Sequence, residues 1–167
     1  QIEKLFLDTR LQTISLCSSL EPEDMVLQTS ENVSPLKWHL GHTTWFFEKF
    51  ILSELDANYK PFNKDYNFIF NSYYNSVGQF NPRNKRGHLN RPLLKDVIKY
   101  RDHVTENIIS FTKKSNNNRI SFLIELGINH EQQHQELMLM DILNLFSRNP
   151  LRPAYTSNLS TDFEVVA

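Results

Sequence analysis

The sequence predicts an all-α protein, a four-helix bundle with one long loop between its second and third helices. Four segments repeat apolar residues at the 3.6-residue period of a helix, and helix-breaking residues separate them. Alternating apolar runs typical of strands are few, and only four glycines occur in 167 residues, well below the average usage of roughly 7%. A chain of this length has room for one hydrophobic core rather than two.

The first two predicted helices lie in the N-terminal third of the chain. Periodic apolar residues predict a helix over about residues 2–20, and the acidic, proline-containing stretch 21–24 ends it. The second helix has a clear start signal, because Ser34 can cap its free amide groups and Pro35 suits the first helical position. We expect this helix to continue to about Leu55.

The third and fourth predicted helices cover about residues 92–114 and 119–146, and the asparagines at 116–118 separate them. The connection before the third helix, residues 56–91, is long and rich in Asn, Tyr and Phe. Long connections in small domains are usually either functional or disordered, and the many aromatic residues favour an ordered, functional loop. In four-helix bundles, metal sites are commonly built from side chains on facing helices.

The composition disfavours several classes of function. With 18 basic and 19 acidic residues, the net charge of −1 provides no electrostatic basis for binding nucleic acid or an anionic membrane. The sequence has no run of 18 apolar residues and no signal-peptide pattern. Its one cysteine, Cys17, cannot form an internal disulfide, which fits a reducing compartment. We expect a cytoplasmic protein without nucleic-acid or membrane partners.

A pair of histidines on the fourth helix is the first candidate for a metal site. Residues 130–134 read HEQQH, so His130 and His134 lie at positions i and i+4 on one helix face. The same face of the helical wheel carries Leu123, Leu126, Leu137, Asp141 and Leu145. The two imidazoles are therefore expected to face the core, where they either bind one metal ion or are held by hydrogen bonds as buried histidines.

The same five residues also match the H-E-x-x-H motif of zinc proteases, in which the glutamate, here Glu131, is the general base. Such a protease needs a third ligand in a suitable downstream position. No histidine follows His134, and the glycine-containing extension typical of the metzincins is missing. The motif is therefore a weak indication of protease function.

The second helix offers two further histidines, His39 and His42. On a helical wheel both lie largely opposite a polar stripe formed by Lys37, Thr44 and Glu48. Either could meet His130 and His134 across the bundle, and the spacing alone does not choose between them. Each could instead be a core histidine or a hydrogen-bond donor to a ligand. Gly41 costs about 1 kcal/mol of helix stability relative to alanine, which a close contact beside the metal would justify.

These motifs resemble those of a known family. Residues 34–48, SPLKWHLGHTTWFFE, resemble the signature of the N-terminal, DinB-like domain of ergothioneine-biosynthesis sulfoxide synthases, and residues 130–137 resemble that domain's second signature. Residues 71–78 and 86–92 are similar to the family's loop. The resemblance covers nearly the whole chain, with long motifs in the same order.

The resemblance implies a non-heme iron(II) site formed by His42, His130 and His134, because the ligand in the family motif is the histidine after the small residue. Zinc or nickel could substitute for iron. The implied oxidoreductase uses O₂ to join a cysteine-containing thiol, γ-glutamylcysteine or cysteine, to Nα-trimethylhistidine and yields a sulfoxide. Arg83 and Arg86 would correspond to the paired loop arginines that bind the thiol substrate's carboxylates in some members of the family; an exposed, solvated loop face is the alternative.

The resemblance also implies a domain division. Residues 1–148 would form the DinB-like four-helix bundle, and residues 149–167 a linker toward a C-terminal domain related to the formylglycine-generating enzyme. In the family that domain supplies the catalytic tyrosine and most of the trimethylhistidine site. Because the 167 residues contain none of it and both ends look cut, we expect a fragment that binds metal, contains no catalytic residue of its own and does not complete the reaction alone.

Two other functions share these sequence features. A stand-alone DinB-like, thiol-dependent transferase would use the same three histidines with zinc or nickel. A noncatalytic helical bundle would keep its histidines for structural reasons. The identity of the metal and the presence of a second domain separate these possibilities.

Overall fold

The structure is a computed structural model that describes residues 1–74, 76–115 and 117–156. These residues form helices, turns and loops without a strand, which confirms the predicted all-α class. The helices are α1 (Ile2–Ser15), α2 (Leu36–Phe47), α3 (Ser53–Leu55), α4 (Tyr66–Phe70), α5 (Leu94–Lys114) and α6 (Asn118–Arg148). A π-helical turn, Glu48–Leu52, joins α2 to α3, and a 3₁₀ helix, Arg83–His88, precedes α5.

The predicted helices are all present, with different ends. Helix α2, the π-helical turn and α3 together extend to Leu55, as predicted. Helix α1 ends at Ser15, before the predicted end at residue 20. The chain beyond it continues in tighter turns, in which the amide groups of Cys17 and Ser18 donate to carbonyls three residues earlier. The missing part of α1 is therefore still turn structure, but it is not α-helix.

The predicted capping role of Ser34 is wrong. Helix α2 begins at Leu36 with Pro35 as its N-cap residue, and no side chain caps it. The hydroxyl of Ser34 accepts a hydrogen bond from Nη1 of Arg86 at 2.9 Å instead. Because a buried guanidinium group needs acceptors, the loop arginine takes the hydroxyl that the isolated helix would use as a cap.

The four longest helical stretches pack around one core. Helix α1 contacts α5 and α6, and α2 also contacts α5 and α6. Among the fully buried side chains, Phe6 of α1 and Phe47 of α2 meet edge to face with ring centroids 4.9 Å apart. Truncating a buried phenylalanine of this kind to alanine typically costs about 3–5 kcal/mol. Helices α2 and α6, which carry the candidate ligands, contact each other directly in this core.

A buried ion cluster ties α1, α5 and α6 together. The carboxylate of Glu131 accepts hydrogen bonds from Arg10 at 2.9 Å, from Thr13 at 2.6 Å and from Arg101. Burial acts to raise the pKa of Glu131, but the two guanidinium groups and the Thr13 hydroxyl outweigh it and lower the pKa to about 2. Glu131 is therefore a charged structural residue of the core.

The connection 56–91 is anchored at both ends by the polar stripe of α2 and its continuation. Glu48 accepts from the hydroxyl of Tyr59 at 2.7 Å, which fixes the start of the connection. Lys37 donates its Nζ hydrogen to the carbonyl of Leu89 at 2.6 Å, which fixes the end. Both charged side chains are buried. The stripe thus holds the long connection in place, and the connection brings α4 and the 3₁₀ helix to the histidines.

The predicted linker, residues 149–167, is described as far as residue 156. The hydroxyl of Tyr155 donates to the carbonyl of Leu16 at 2.7 Å, and Ser19 donates to the carbonyl of Tyr155 at 2.8 Å. This first part of the segment therefore returns to the end of α1, whereas residues 157–167 lie outside the described residues. Among the described helices, none is both long and apolar enough to cross a membrane.

Candidate metal centre

Three histidines from two helices converge beside the core. His42 of α2 and His130 and His134 of α6 each offer a ring nitrogen, and these nitrogens all lie within 4.8 Å of one another. The Nε2 atoms of His42 and His130 are 3.2 Å apart. Successive turns of α6 carry His130 and His134, and α2, which packs against α6, carries the third imidazole, that of His42. The three predicted ligands are therefore brought together closely enough to bind one metal ion.

The ring of His42 is fixed by its surroundings. Its Nδ1 lies 2.6 Å from the carbonyl oxygen of Phe70, and because a carbonyl only accepts, Nδ1 carries the proton and Nε2 is left bare. Trp38 stacks on the same imidazole with ring centroids 4.6 Å apart. A Cβ atom on Gly41 would come 2.1 Å from the Phe70 ring. Glycine at this position therefore permits the close approach of α4 that orients His42.

The spacing of the histidine nitrogens fits a single ion. Imidazole–metal bonds of roughly 2.0–2.2 Å at angles of roughly 90–109° place neighbouring ligand nitrogens roughly 2.8–3.6 Å apart. The 3.2 Å between the Nε2 atoms of His42 and His130 lies in this range. Burial lowers the pKa of His42 and His134 as well as that of His130, which falls to about 4. All three imidazoles are therefore neutral near pH 7, the form that binds metals.

His39, the alternative ligand on α2, does not join the cluster. Its Nδ1 lies 2.8 Å from Nδ1 of His134, and its Nε2 lies 2.9 Å from Oδ2 of Asp141. His39 therefore contacts His134, one of the three candidate ligands, and is not part of the cluster. The sequence did not predict that Asp141 contacts His39. The one indication in the sequence was that Asp141 lies seven residues after His134, on the same face of α6.

A cavity of about 360 Å³ opens beside the histidines and contains all three in its wall. Cavities of roughly 300–1,000 Å³ are typical of small-molecule sites. The structure places both predicted substrate-binding residues, Arg83 and Arg86, in the same wall. The long connection between α3 and α5 therefore forms part of the cavity wall together with the histidines of α2 and α6.

Arg86 is a buried cation in this wall. Its guanidinium carbon lies 3.4 Å from the ring centroid of Trp38, and its two terminal nitrogens donate to hydroxyl groups of Ser34 at 2.9 Å and Ser72 at 2.8 Å. Its Nε is buried and has no hydrogen-bond partner among the described residues. Burial, with a contribution from Arg83, lowers the pKa of Arg86 to about 9, so it stays charged near pH 7. Such a side chain suits an anionic ligand.

Arg83 has a different environment. It is exposed, donates from Nη1 to the carbonyl of Asn32 at 3.3 Å and lies over the ring of Tyr73 at 5.4 Å. Tyr73 adopts a φ of 60°, in the left-handed region that non-glycine residues rarely occupy. The two arginines therefore line the same cavity, but Arg86 is buried and Arg83 is exposed.

The zinc-protease interpretation of residues 130–134 is wrong. In that motif the glutamate must face the metal as a general base, whereas Glu131 is fully buried among Arg10, Arg101 and Thr13. A carboxylate with a pKa of about 2 is also a poor proton acceptor. His130 and His134 thus face the histidine cluster, whereas Glu131 belongs to the buried ion cluster with α1 and α5.

A second cavity, of about 700 Å³, also contains His130 in its wall. Its wall includes Phe46, which packs on the imidazole with ring centroids 4.4 Å apart, and Leu126, which is 44% exposed. The Nδ1 atom of His130 is buried and lacks a hydrogen-bond partner among the described residues. Sequence reasoning gave no sign of this cavity, since its wall combines residues distant in the chain.

Fold and site together define an all-helical protein with a three-histidine cluster that can hold a metal ion. No protein-family model matches the chain, and no curated protein matches it significantly. The chemistry of the metal centre is therefore inferred from its own residues and from the motifs described above.

Proposed function

We propose that this chain is the metal-binding domain of a non-heme iron(II)-dependent sulfoxide synthase of ergothioneine biosynthesis, with a DinB-like four-helix bundle as its fold. The reaction is O₂-dependent formation of a C–S bond between γ-glutamylcysteine or cysteine and Nα-trimethylhistidine. The observation that carries the proposal is the meeting of His42, His130 and His134 in a cavity wall that also contains the buried cation of Arg86.

The donor set suits this chemistry. Three neutral imidazoles on one side of an ion leave the remaining positions open, as in the oxygenases that use two histidines and one carboxylate. Bound iron(II) would supply the redox chemistry with oxygen and favour the thiolate form of a coordinated thiol. The chain's own contribution is to keep the imidazoles neutral by burying them and to fix their positions, and the Phe70 carbonyl fixes the ring of His42.

Arg86 is the proposed anchor for a substrate carboxylate. Its serine partners orient the guanidinium group without neutralising it. The guanidinium group stays charged and lines the cavity, so a substrate carboxylate bound there would have a favourable charge-assisted interaction with it. Arg83, whose side chain contacts a backbone carbonyl and a tyrosine ring, would provide the second contact. A thiol substrate with carboxylates would thereby be oriented beside the metal, which raises its effective concentration there.

The catalytic tyrosine and most of the trimethylhistidine site are assigned by this proposal to a C-terminal domain of the same parent protein. The cavity beside His130 supports such a division, because its wall is partly apolar and exposed. A second domain covering that wall would exclude water from the reactants.

The metal site is tested first with the chain by itself. Iron(II), added without oxygen, is expected to bind at one ion per chain, and His42→Ala is expected to abolish binding. His103→Ala is the matched control, since His103 lies on α5, where its ring hydrogen-bonds Asn107 and packs on Tyr59 and Phe62, and it is not one of the three clustered histidines. A wild-type chain that binds no metal would support a noncatalytic bundle.

The reaction is tested with the domain joined to its C-terminal partner domain. With iron(II), O₂, γ-glutamylcysteine and trimethylhistidine, mass spectrometry should detect a sulfoxide containing both substrates. Transfer of the thiol to another acceptor, with zinc or nickel and without oxygen consumption, would instead identify a thiol-dependent transferase.

A further inference from the structure

The metal ligand His134 is supported from behind by a line of two side chains. Its Nδ1 lies 2.8 Å from Nδ1 of His39, and Nε2 of His39 lies 2.9 Å from Oδ2 of Asp141. His39 is 3% exposed, and the side chain of Asp141 is 13% exposed. Because bulk water has little access to these groups, the hydrogen bonds they form with one another decide where the protons lie.

With both rings neutral, only one arrangement of protons satisfies this line. A carboxylate only accepts, so Nε2 of His39 carries that ring's single proton. The bare Nδ1 of His39 must then accept, and Nδ1 of His134 donates to it. His134 is left with a bare Nε2, which is the nitrogen available to a metal ion.

Asp141 is itself held in place. Its Oδ2 accepts a second hydrogen bond, from the backbone N–H of Ser34 at 3.1 Å. The hydroxyl of the same serine accepts from Arg86, the cation of the cavity wall. The segment before α2 therefore orients both the carboxylate at the end of the line and the arginine beside the metal centre.

We infer that His39 and Asp141 are positioning residues of the metal centre, which fix the ring and the tautomer of His134 so that its Nε2 binds the ion. This inference rests on the metal site of the proposed function and adds two residues to it. His42 is fixed in the equivalent way by the Phe70 carbonyl. Acceptors behind the ligating imidazole are a general feature of metal sites, and removing one typically weakens metal binding by about 10–100-fold.

The tautomer can be measured without any metal. Long-range ¹H–¹⁵N spectra of the wild-type apoprotein, labelled with ¹⁵N-histidine, distinguish a ring protonated at Nδ1 from one protonated at Nε2. The expected result is Nδ1–H for His134 and Nε2–H for His39. An Nε2–H tautomer of His134 in the folded protein would overturn the inference.

Metal affinity provides the second test, with cobalt(II) as the probe. His39→Leu removes the acceptor and is expected to weaken cobalt binding by about 10–100-fold. His39→Asn places a carbonyl oxygen near the position of Nδ1, so affinity should remain close to that of the wild type. His103→Leu is the control and should leave affinity unchanged, because His103 is not one of the clustered histidines and its ring packs on Tyr59 and Phe62.

Circular dichroism shows whether each variant is folded. If His39→Leu does not fold, the tautomer of His134 in the wild type still tests the positioning role of His39. Equal cobalt affinity in the wild type and a folded His39→Leu variant would refute the positioning role alone. Absence of cobalt binding in the wild type would refute the metal site, and the proposed function together with the inference.

Discussion

Glu131→Gln is expected to destabilise the fold strongly while leaving the metal site intact. The substitution keeps the shape of the side chain but removes the carboxylate that pairs with Arg10 and Arg101. Lowering a pKa from 4.5 to about 2 corresponds to about 3 kcal/mol of stability at neutral pH. Breaking a buried ion pair by removing one partner typically costs about 3–5 kcal/mol. Both routes give a loss of at least about 3 kcal/mol.

Urea denaturation at pH 7 measures this loss directly. Glu125→Gln is the control, because Glu125 is exposed on the same helix and surface substitutions usually change stability by about 0.5 kcal/mol or less. Cobalt affinity, measured well below the denaturation midpoint, should match the wild type, since Glu131 faces α1 and α5 rather than the cavity. A loss below about 1 kcal/mol, or a folded variant that no longer binds metal, would refute this assignment.

The same residue predicts a pH dependence. The folded-state pKa of Glu131 lies below its ordinary value, so its stabilising contribution is fully present above pH 4.5 and is lost as the pH falls toward about 2. Wild-type stability should therefore decrease more steeply than that of Glu131→Gln across this window. If the free energies of unfolding of the two proteins changed in parallel with pH, Arg10 and Arg101 would not stabilise the charged form of Glu131.

Further outcomes are expected for the metal, the two arginines and Gly41. X-ray absorption of the iron-loaded chain should show three imidazole nitrogens at about 2.0–2.2 Å from the metal, and His42→Ala should remove this absorption signature. Purified samples should contain zinc or nickel as well as iron, because site affinity alone does not select iron. Under the proposed function, replacing Arg83 and Arg86 together with alanine in the domain joined to the proposed C-terminal domain should raise KM for the thiol far more than for trimethylhistidine, and equal, small effects would contradict the assignment. Gly41→Ala should lower thermal stability by about 1–3 kcal/mol, since the new Cβ would overlap the Phe70 ring; an unchanged melting temperature would contradict the close approach.

The sequence predicted those features that depend on local spacing. Apolar periodicity gave the four long helices, and the i, i+4 spacing of His130 and His134 placed both on one face of α6. The choice between His39 and His42 could not be made this way, because both lie on the same side of α2. What separates them is the Phe70 carbonyl, which reaches His42 from a segment 28 residues away.

Features that depend on distant partners were not predictable. Glu131 is 121 residues from Arg10 and 30 from Arg101, so no local pattern shows that it belongs to the core rather than to the metal. Ser34 has the sequence context of a helix cap, yet Arg86, 52 residues later, takes its hydroxyl. In both cases a buried guanidinium group, whose position only the tertiary structure reveals, overrides the local preference.

The two tryptophans of the chain, Trp38 and Trp45, both lie against the imidazole of His42, with ring centroids 4.6 Å and 5.7 Å away. Trp38 also carries the guanidinium group of Arg86 over its ring. Intrinsic fluorescence is therefore a built-in probe of the metal centre, free of background from tryptophans elsewhere. Iron(II) or cobalt(II) bound to His42 should quench the tryptophan emission. An anionic ligand that binds Arg86 should shift the emission wavelength, so both binding events can be followed in real time without a label.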